Sequence, residues 1–249
     1  MQEFIKAFDS GSGIRDIPIV QGSVPFLSTQ FPGWPAGVGI LLASLVASST
    51  ASRTNNVVTI TATAHGITTG SLYVGYRFYY PGSPSLAAGL YDSILSIPDA
   101  NTLTFSAPGV DFAGESINSG NPWTSGTDLI SVTIPGGLLK EGSSVTAKVY
   151  RFGDTTANNK TIAIYYGGSA LTSQNLTTSP FSDLRYSFRC MGTNKQIGQA
   201  TTPDGSQSSV SPVVLTKDTT VDQTFTIRGF ATTAGVFVGL FAASLEIKI

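Results

Sequence analysis

The stretch Val57-Val58-Thr59-Ile60-Thr61-Ala62-Thr63 decides the fold class: it is β-branched and alternates apolar with polar residues. That is the pattern of a strand with one dry and one wet face. The segment after it, His65-Gly66-Ile67-Thr68-Thr69-Gly70, reads as a turn. A second, aromatic-rich strand is predicted over Leu72–Tyr80. Two more follow over Leu90–Ile97 and Thr102–Phe105, joined by Pro98-Asp99-Ala100-Asn101. Residues 55–106 therefore read as a small β-barrel or sandwich module.

Outward from that module, residues 107–126 are rich in Gly, Pro, Ser and Asn and read as a linker. Residues 127–249 return to short alternating runs. Leu129–Ile134 places Ile130, Val132 and Ile134 on one face, and Val145–Phe152 turns Val145, Ala147 and Val149 inward. Thr161–Tyr166 follows, and further strands are predicted near 184–191, 196–201, 209–215, 221–229 and 235–249. Gly136-Gly137, Asn158-Asn159, Gly167-Gly168 and Pro203-Asp204-Gly205 supply the turns. Regular short strands between such turns predict a jelly-roll-like β-sandwich. The expected fold is all-β throughout.

The first 54 residues are different. Gly and Pro interrupt them repeatedly, yet they carry Phe4, Phe8, Phe26, Phe31 and Trp34, and no charge lies between Asp16 and Arg53. A disordered tail would be poor in such residues. Residues 1–54 thus read as an extended arm that buries its aromatics in the same chain, a sister subunit or a larger partner. Ile40–Val46 is apolar without a deciding period, so strand and short helix both remain open.

Composition limits the chemistry. Only 12% of the 249 residues are charged, the net charge is −1, and 14 Lys and Arg are scattered without a basic run. The footprint of a nucleic-acid binder is missing. The Gly37–Ala47 stretch is shorter than the ~20 residues a membrane-spanning helix needs, so no membrane insertion is expected. Met1-Gln2-Glu3-Phe4 lacks the basic and apolar regions of a secretory signal. One His and one Cys, His65 and Cys190, cannot complete a zinc site. His65 reads as a turn residue and Cys190 as a buried small hydrophobe. Asp154 near Asn158 and Asn159 could offer oxygens to calcium, but the string reads better as a hairpin loop. No carboxylate pair, nucleophile elbow or phosphate loop stands out. No catalytic residue, cofactor or metal is expected, and the chain reads as a non-enzyme. The binding candidates are the aromatics Tyr73, Tyr76, Tyr79 and Tyr80: one face of their strand should be core, and the other could meet a protein or a glycan.

Two stretches carry a resemblance. The order Ala64-His65-Gly66-Ile67, Thr69-Gly70, aromatic strand, Asn101-Thr102-Leu103-Thr104-Phe105 resembles a small β module of phage tail and virion proteins, with Ser71 where that module has Asp. Val132–Leu139, Asn158–Gly168 and Ala243–Ile247 resemble the C-terminal jelly-roll-like domain of phage fibre, tail and head-surface proteins. The resemblance is to surface-exposed virion proteins of tailed bacteriophages. It implies a virion component made in the host cytoplasm, a homo-oligomer with a trimer favoured, contacting capsid or tail proteins. Head decoration (cement), short fibre and tail-associated subunit all fit, since no coiled-coil or repeated shaft is found. The alternative is a receptor-binding tail fibre or tip protein that reads host-surface glycans. A polysaccharide depolymerase ranks third.

Overall fold

Alternating strands pay no penalty for leaving one face wet, and they dominate the computed structural model of the chain. It describes residues 4–9, 13–18, 39–43, 45, 48–67, 69–118, 126–157, 160–176, 181–201, 212–231, 233 and 235–249, the first two segments by backbone alone. Phe26, Phe31 and Trp34 lie outside the described residues, as do the side chains of Phe4 and Phe8.

The elements are β1 (Phe4–Asp9), β2 (Gly13–Pro18), β3 (Ile40–Ala43), β4 (Thr50–Thr54), β5 (Val57–Thr61), β6 (Arg77–Tyr80) and β7 (Gly89–Tyr91). Then come β8 (Ile94–Asp99), β9 (Thr102–Ser106), β10 (Phe112–Ser116), β11 (Thr127–Ile134), β12 (Ser144–Gly153) and β13 (Lys160–Tyr166). The last are β14 (Ser169–Leu176), β15 (Phe181–Gly192), β16 (Lys195–Thr201), β17 (Val213–Leu215), β18 (Gln223–Ala231) and β19 (Phe237–Lys248). No helix occurs among the described residues, so none is long and apolar enough to cross a membrane. The chain is an all-β, sandwich-like protein.

β1 and β2 form an antiparallel hairpin. A five-stranded sheet runs β10-β4-β5-β9-β8, a four-stranded sheet runs β11-β18-β13-β14, and an eight-stranded sheet runs β17-β16-β15-β12-β19-β3-β6-β7. The alternation at Val57–Thr61 appears as read: Val58 and Ile60 point inward and pair across the ladder with Phe105 and Leu103. In the C-terminal part Val145, Ala147 and Val149 point inward as well, against Ile162, Ile164, Phe225 and Ile227 of the four-stranded sheet. The first and last strands of this sandwich pair crosswise, β11 with β18 and β12 with β19.

Several elements differ from the sequence reading. β1, β2 and β4 arise from the stretch read as an extended arm, β3 takes the strand alternative left open at Ile40–Val46, and β10 arises from the stretch read as a linker. β10 pairs with β4 at the sheet edge, and its shifted register, with only Phe112 and Glu115 half-buried, hides the alternation. β14, Ser169-Ala170-Leu171-Thr172-Ser173-Gln174-Asn175-Leu176, was not expected at all. Its polar residues mask a hairpin with β13 that a bulge at Ile164/Tyr165 distorts further. The predicted strand Leu72–Tyr80 shortens to Arg77–Tyr80, because Gly70 and Gly75 adopt φ of +99° and +87° and fold residues 71–75 into turns.

Two cores lie on opposite faces of one half of the large sheet. Ile40, Val238 and Leu240 join the C-terminal core, whereas their neighbours Leu41, Phe237 and Phe241 face the core of the N-terminal module. Likewise Tyr79 packs on the first core, and Phe78 and Tyr80 on the second. Strands dry on both faces read as continuous apolar runs, and Ile40 and Leu41, adjacent in sequence, are both buried here. β3 is the weld: it pairs antiparallel with β19 on one side and parallel with β6 on the other.

Candidate functional site

The aromatic residues singled out by sequence come to rest along this weld. β12 carries its inward residues into the C-terminal core as far as Val149. The opposite face of β12 carries Phe152, which enters the core of the N-terminal module, while the register shift opposite Tyr150/Arg151 leaves Phe241 of β19 as the extra residue. Tyr73 stacks on Phe152 with ring centroids 5.2 Å apart and 12° between planes, and meets Phe237 edge-on at 5.5 Å. Tyr76 meets Phe152 at 5.8 Å and Phe241 at 6.3 Å. The close approach requires glycine at 239, where a Cβ would fall 2.2 Å from Phe152 Cζ and 2.4 Å from the Ile40 carbonyl oxygen.

Tyr73 and Tyr80 are thus buried, at 4% and 0% exposure, and offer no face to a glycan or another protein. Tyr76 and Tyr79 are half-buried and packed against the two cores. Of the predicted strand, Leu72 and Val74 are the exposed positions, at 57% and 42%, whereas the tyrosines pack against the two cores. The tyrosines do form an interface, but one internal to the chain.

His65 is a turn residue with a further duty. Buried at 1%, its Nδ1 accepts the Ile67 N–H at 3.1 Å, while Nε2 lies 3.1 Å from the Asp99 carbonyl oxygen and 3.4 Å from that of Thr102. An accepting Nδ1 places the proton on Nε2 and makes the ring neutral. Burial pushes its pKa down, against the smaller opposing effect of the two carbonyls. The adjacent Gly66, at φ +77°, lies so close to the loop before β19 that a Cβ would sit 1.8 Å from the Gly235 carbonyl oxygen. The His-Gly turn is therefore a docking point between the two parts of the chain.

Asp154 sits at the other end of the weld. Lys160, fully buried, donates from Nζ to Asp154 Oδ1 at 2.7 Å and to the Thr156 carbonyl oxygen at 2.7 Å. Asp154 Oδ2 accepts the Phe237 N–H at 2.9 Å, and Oδ1 accepts the N–H and hydroxyl of Thr156. Burial alone would raise this carboxyl; the ammonium, the hydroxyl and the two N–H donors outweigh it and hold the pKa low. The Lys160 ammonium occupies the position that a cation would take beside Asp154. Asn158 and Asn159 lie outside the described residues. Arg151, also buried, donates from Nη2 to Ser182 Oγ at 2.7 Å.

The remaining reactive groups hold structure too. Glu115 accepts the Ser85 hydroxyl, the Ser85 N–H at 2.9 Å and the Ser83 hydroxyl at 2.9 Å, and these bonds lower its pKa. Arg53 donates to the carbonyl oxygens of Val110 and Pro108 and lies over the Phe112 ring. Cys190 is buried in the C-terminal core, and burial pushes its thiol up. Among the described residues no three His, Cys, Asp or Glu side chains gather to hold a metal.

Sequence reasoning missed one surface. The outer face of β17-β16-β15-β12-β19 is wet, and Lys148 on β12 lies directly opposite Arg185 on β15. The next residue outward on β12, Tyr150, is 44% exposed. On the other side, Thr146 and Ser187 share a hydroxyl hydrogen bond of 3.0 Å. Scattered in sequence, these residues are brought together only by strand register.

No family model matches this chain, and no curated protein matches it. Among solved structures, a functionally unknown protein from Saccharomyces cerevisiae is similar at 11% identity and a TM-score of 0.29, over 78% of this chain and 90% of that one. The CBM2 module of the Lactobacillus casei BL23 phage J-1 evolved Dit is similar at 12% identity and a TM-score of 0.31, over 81% of this chain and 97% of that one. The insecticidal delta-endotoxin Cry8Ea1 from Bacillus thuringiensis is similar at 9% identity and 0.26, over 98% of this chain and 48% of that one. All three likenesses are distant, and none lends this chain a role.

Proposed function

We propose that this chain is a non-enzymatic, surface-exposed structural subunit of a tailed-phage virion, attached through its N-terminal residues and self-associating as a symmetric oligomer, with a trimer favoured. Head decoration, short fibre and tail-associated subunit remain the positions that suit it. The observation that carries the proposal is the weld. The N-terminal stretch enters the body as β3, a central strand buried on both faces. Load on whatever precedes β3 passes directly into both cores, as an anchored subunit requires. The non-enzymatic part is supported by the use of His65, Asp154, Lys160, Glu115 and Arg53 as structural ties.

The test is a truncation that spares the weld. Removing residues 1–54 would delete β3 and β4 and unfold both cores, so the cut belongs before Gly37. The chain lacking residues 1–36 is expected to stay folded and to lose incorporation into particles, read by antibody-labelled electron microscopy, with oligomeric state from sedimentation equilibrium. Unlabelled particles with the full chain, or unchanged incorporation of the truncated one, would overturn the proposal.

A further inference from the structure

The wet face of the large sheet breaks a rule of sheet stability. Like charges directly opposite on an antiparallel ladder repel, because their Cβ atoms lie about 4.5–5.5 Å apart. Lys148 and Arg185 are such a pair. Neither makes an ion pair among the described residues. Arg189 and Lys248 extend the face along one register row, through Ser144 between them. The face holds two carboxylates: Glu246, 3.3 Å from Lys248, and Asp183, opposite Tyr150. A chain that carries only 12% charged residues has thus set Lys148 and Arg185 side by side without an ion pair, with Arg189 and Lys248 on the same face. The arrangement costs stability and returns none within the fold; such local violations mark functional surfaces.

The neighbours define what would sit there. Tyr150 is a half-exposed aromatic ring, two residues along the same strand face from Lys148. Thr146, Ser187 and Ser244 offer hydroxyls beside the cation pair. A flat aromatic next to hydroxyls suits a sugar ring, whose C–H face packs on the aromatic while its hydroxyls exchange hydrogen bonds. The guanidinium and ammonium suit a carboxylate, the guanidinium in a two-pronged contact. An open sheet face suits an extended polymer.

We infer that the outer face of β12 and β15, centred on Lys148, Arg185 and Tyr150, binds an acidic, carboxylate-bearing polysaccharide. The inference requires nothing of the virion proposal and stands or falls apart from it.

The experiment is affinity electrophoresis of the full chain through gels containing polygalacturonate, neutral dextran or double-stranded DNA. Retardation by polygalacturonate, absent with dextran and lost at high salt, is expected. The double variant Lys148→Gln with Arg185→Gln, and separately Tyr150→Ala, should each weaken binding by at least about tenfold. Lys217→Gln, which removes a cation elsewhere, should leave it unchanged. The double variant relieves a repulsion, so its melting temperature should equal or exceed that of the parent, separating lost binding from lost folding. No retardation by polygalacturonate, equal retardation by dextran, binding to DNA alone, or full binding by the folded variants would overturn the inference.

Discussion

The eight-stranded sheet is one hydrogen-bonded surface with two unlike halves. In β3, β6, β7 and the first part of β19, successive residues enter different cores, so Ile40 and Leu41, or Val238 and Phe237, are equally buried. In β17-β16-β15-β12, one face joins the C-terminal core and the other carries Lys148, Tyr150, Arg185 and hydroxyls to solvent. The dry half joins the two parts of the protein and tolerates little change. The wet half is free to carry groups that the fold does not need. The boundary between them runs through β12, where Tyr150 and Phe152 share one strand face, the first exposed and the second covered by the core of the N-terminal module.

The sharpest way to break this contrast is at the boundary. Asp154→Asn leaves the fully buried Lys160 ammonium without its carboxylate, and stability in chemical denaturation should fall by about 3–5 kcal/mol. The same pair gives the pH dependence a sign. The folded pKa of Asp154 is lowered. Its contribution is therefore present above the unfolded carboxylate value and lost as pH falls through the folded one.

Within the dry half, Leu41→Ala opens a cavity in a residue with no exposed surface and should cost about 2–5 kcal/mol. If the two halves were equivalent, Thr146→Ala on the wet face would cost as much. Its expected effect is within about 0.5 kcal/mol, as for surface positions generally.

A smaller effect is expected at the docking turn. The folded pKa of His65 is lowered, so its contribution is complete above the unfolded value of about 6.5 and is lost as pH falls through the folded value. Protonation needs a hydrogen on Nδ1, which ends the bond from the Ile67 N–H. The melting temperature should drop on going from pH 7 to pH 5, and the drop should shrink in His65→Gln. An identical drop in that variant would remove His65 from the explanation.

A small effect of the opposite sign is expected on the wet face. Lys148→Thr removes the repulsion with Arg185 and should raise stability by about 0.2–1 kcal/mol in the same denaturation series.

Legibility in the sequence followed the same division. Val57–Thr61, Thr102–Phe105, Leu129–Ile134 and the first part of β12 were readable because alternation records a wet face. Their inward residues, Val58, Ile60, Val145 and Val149 among them, are buried as the period requires. β6 lay inside the predicted strand Leu72–Tyr80, whereas β3 stayed open between strand and short helix, since its adjacent residues Ile40 and Leu41 are both buried. The candidate tyrosines, read as a strand with one core face and one face that could meet a partner, pack against the two cores. β14 escaped because its Ser, Gln and Asn residues resemble loop. The alternation of β12 already turned Lys148 and Tyr150 outward, but their meeting with Arg185 depends on the β12–β15 register.

The sequence by itself determined that this is an all-β chain, poor in charge, built from strands with one wet face and turns at its glycines. Those properties depend on neighbours along the chain. Only the tertiary structure decided that an apolar run at Ile40–Ala43 joins the two cores, that Tyr73 and Tyr76 serve the chain itself, and that Lys148, Arg185 and Tyr150 share a surface. The physical reason is that burial on a second face, and register across a ladder, are set by strands far away in sequence.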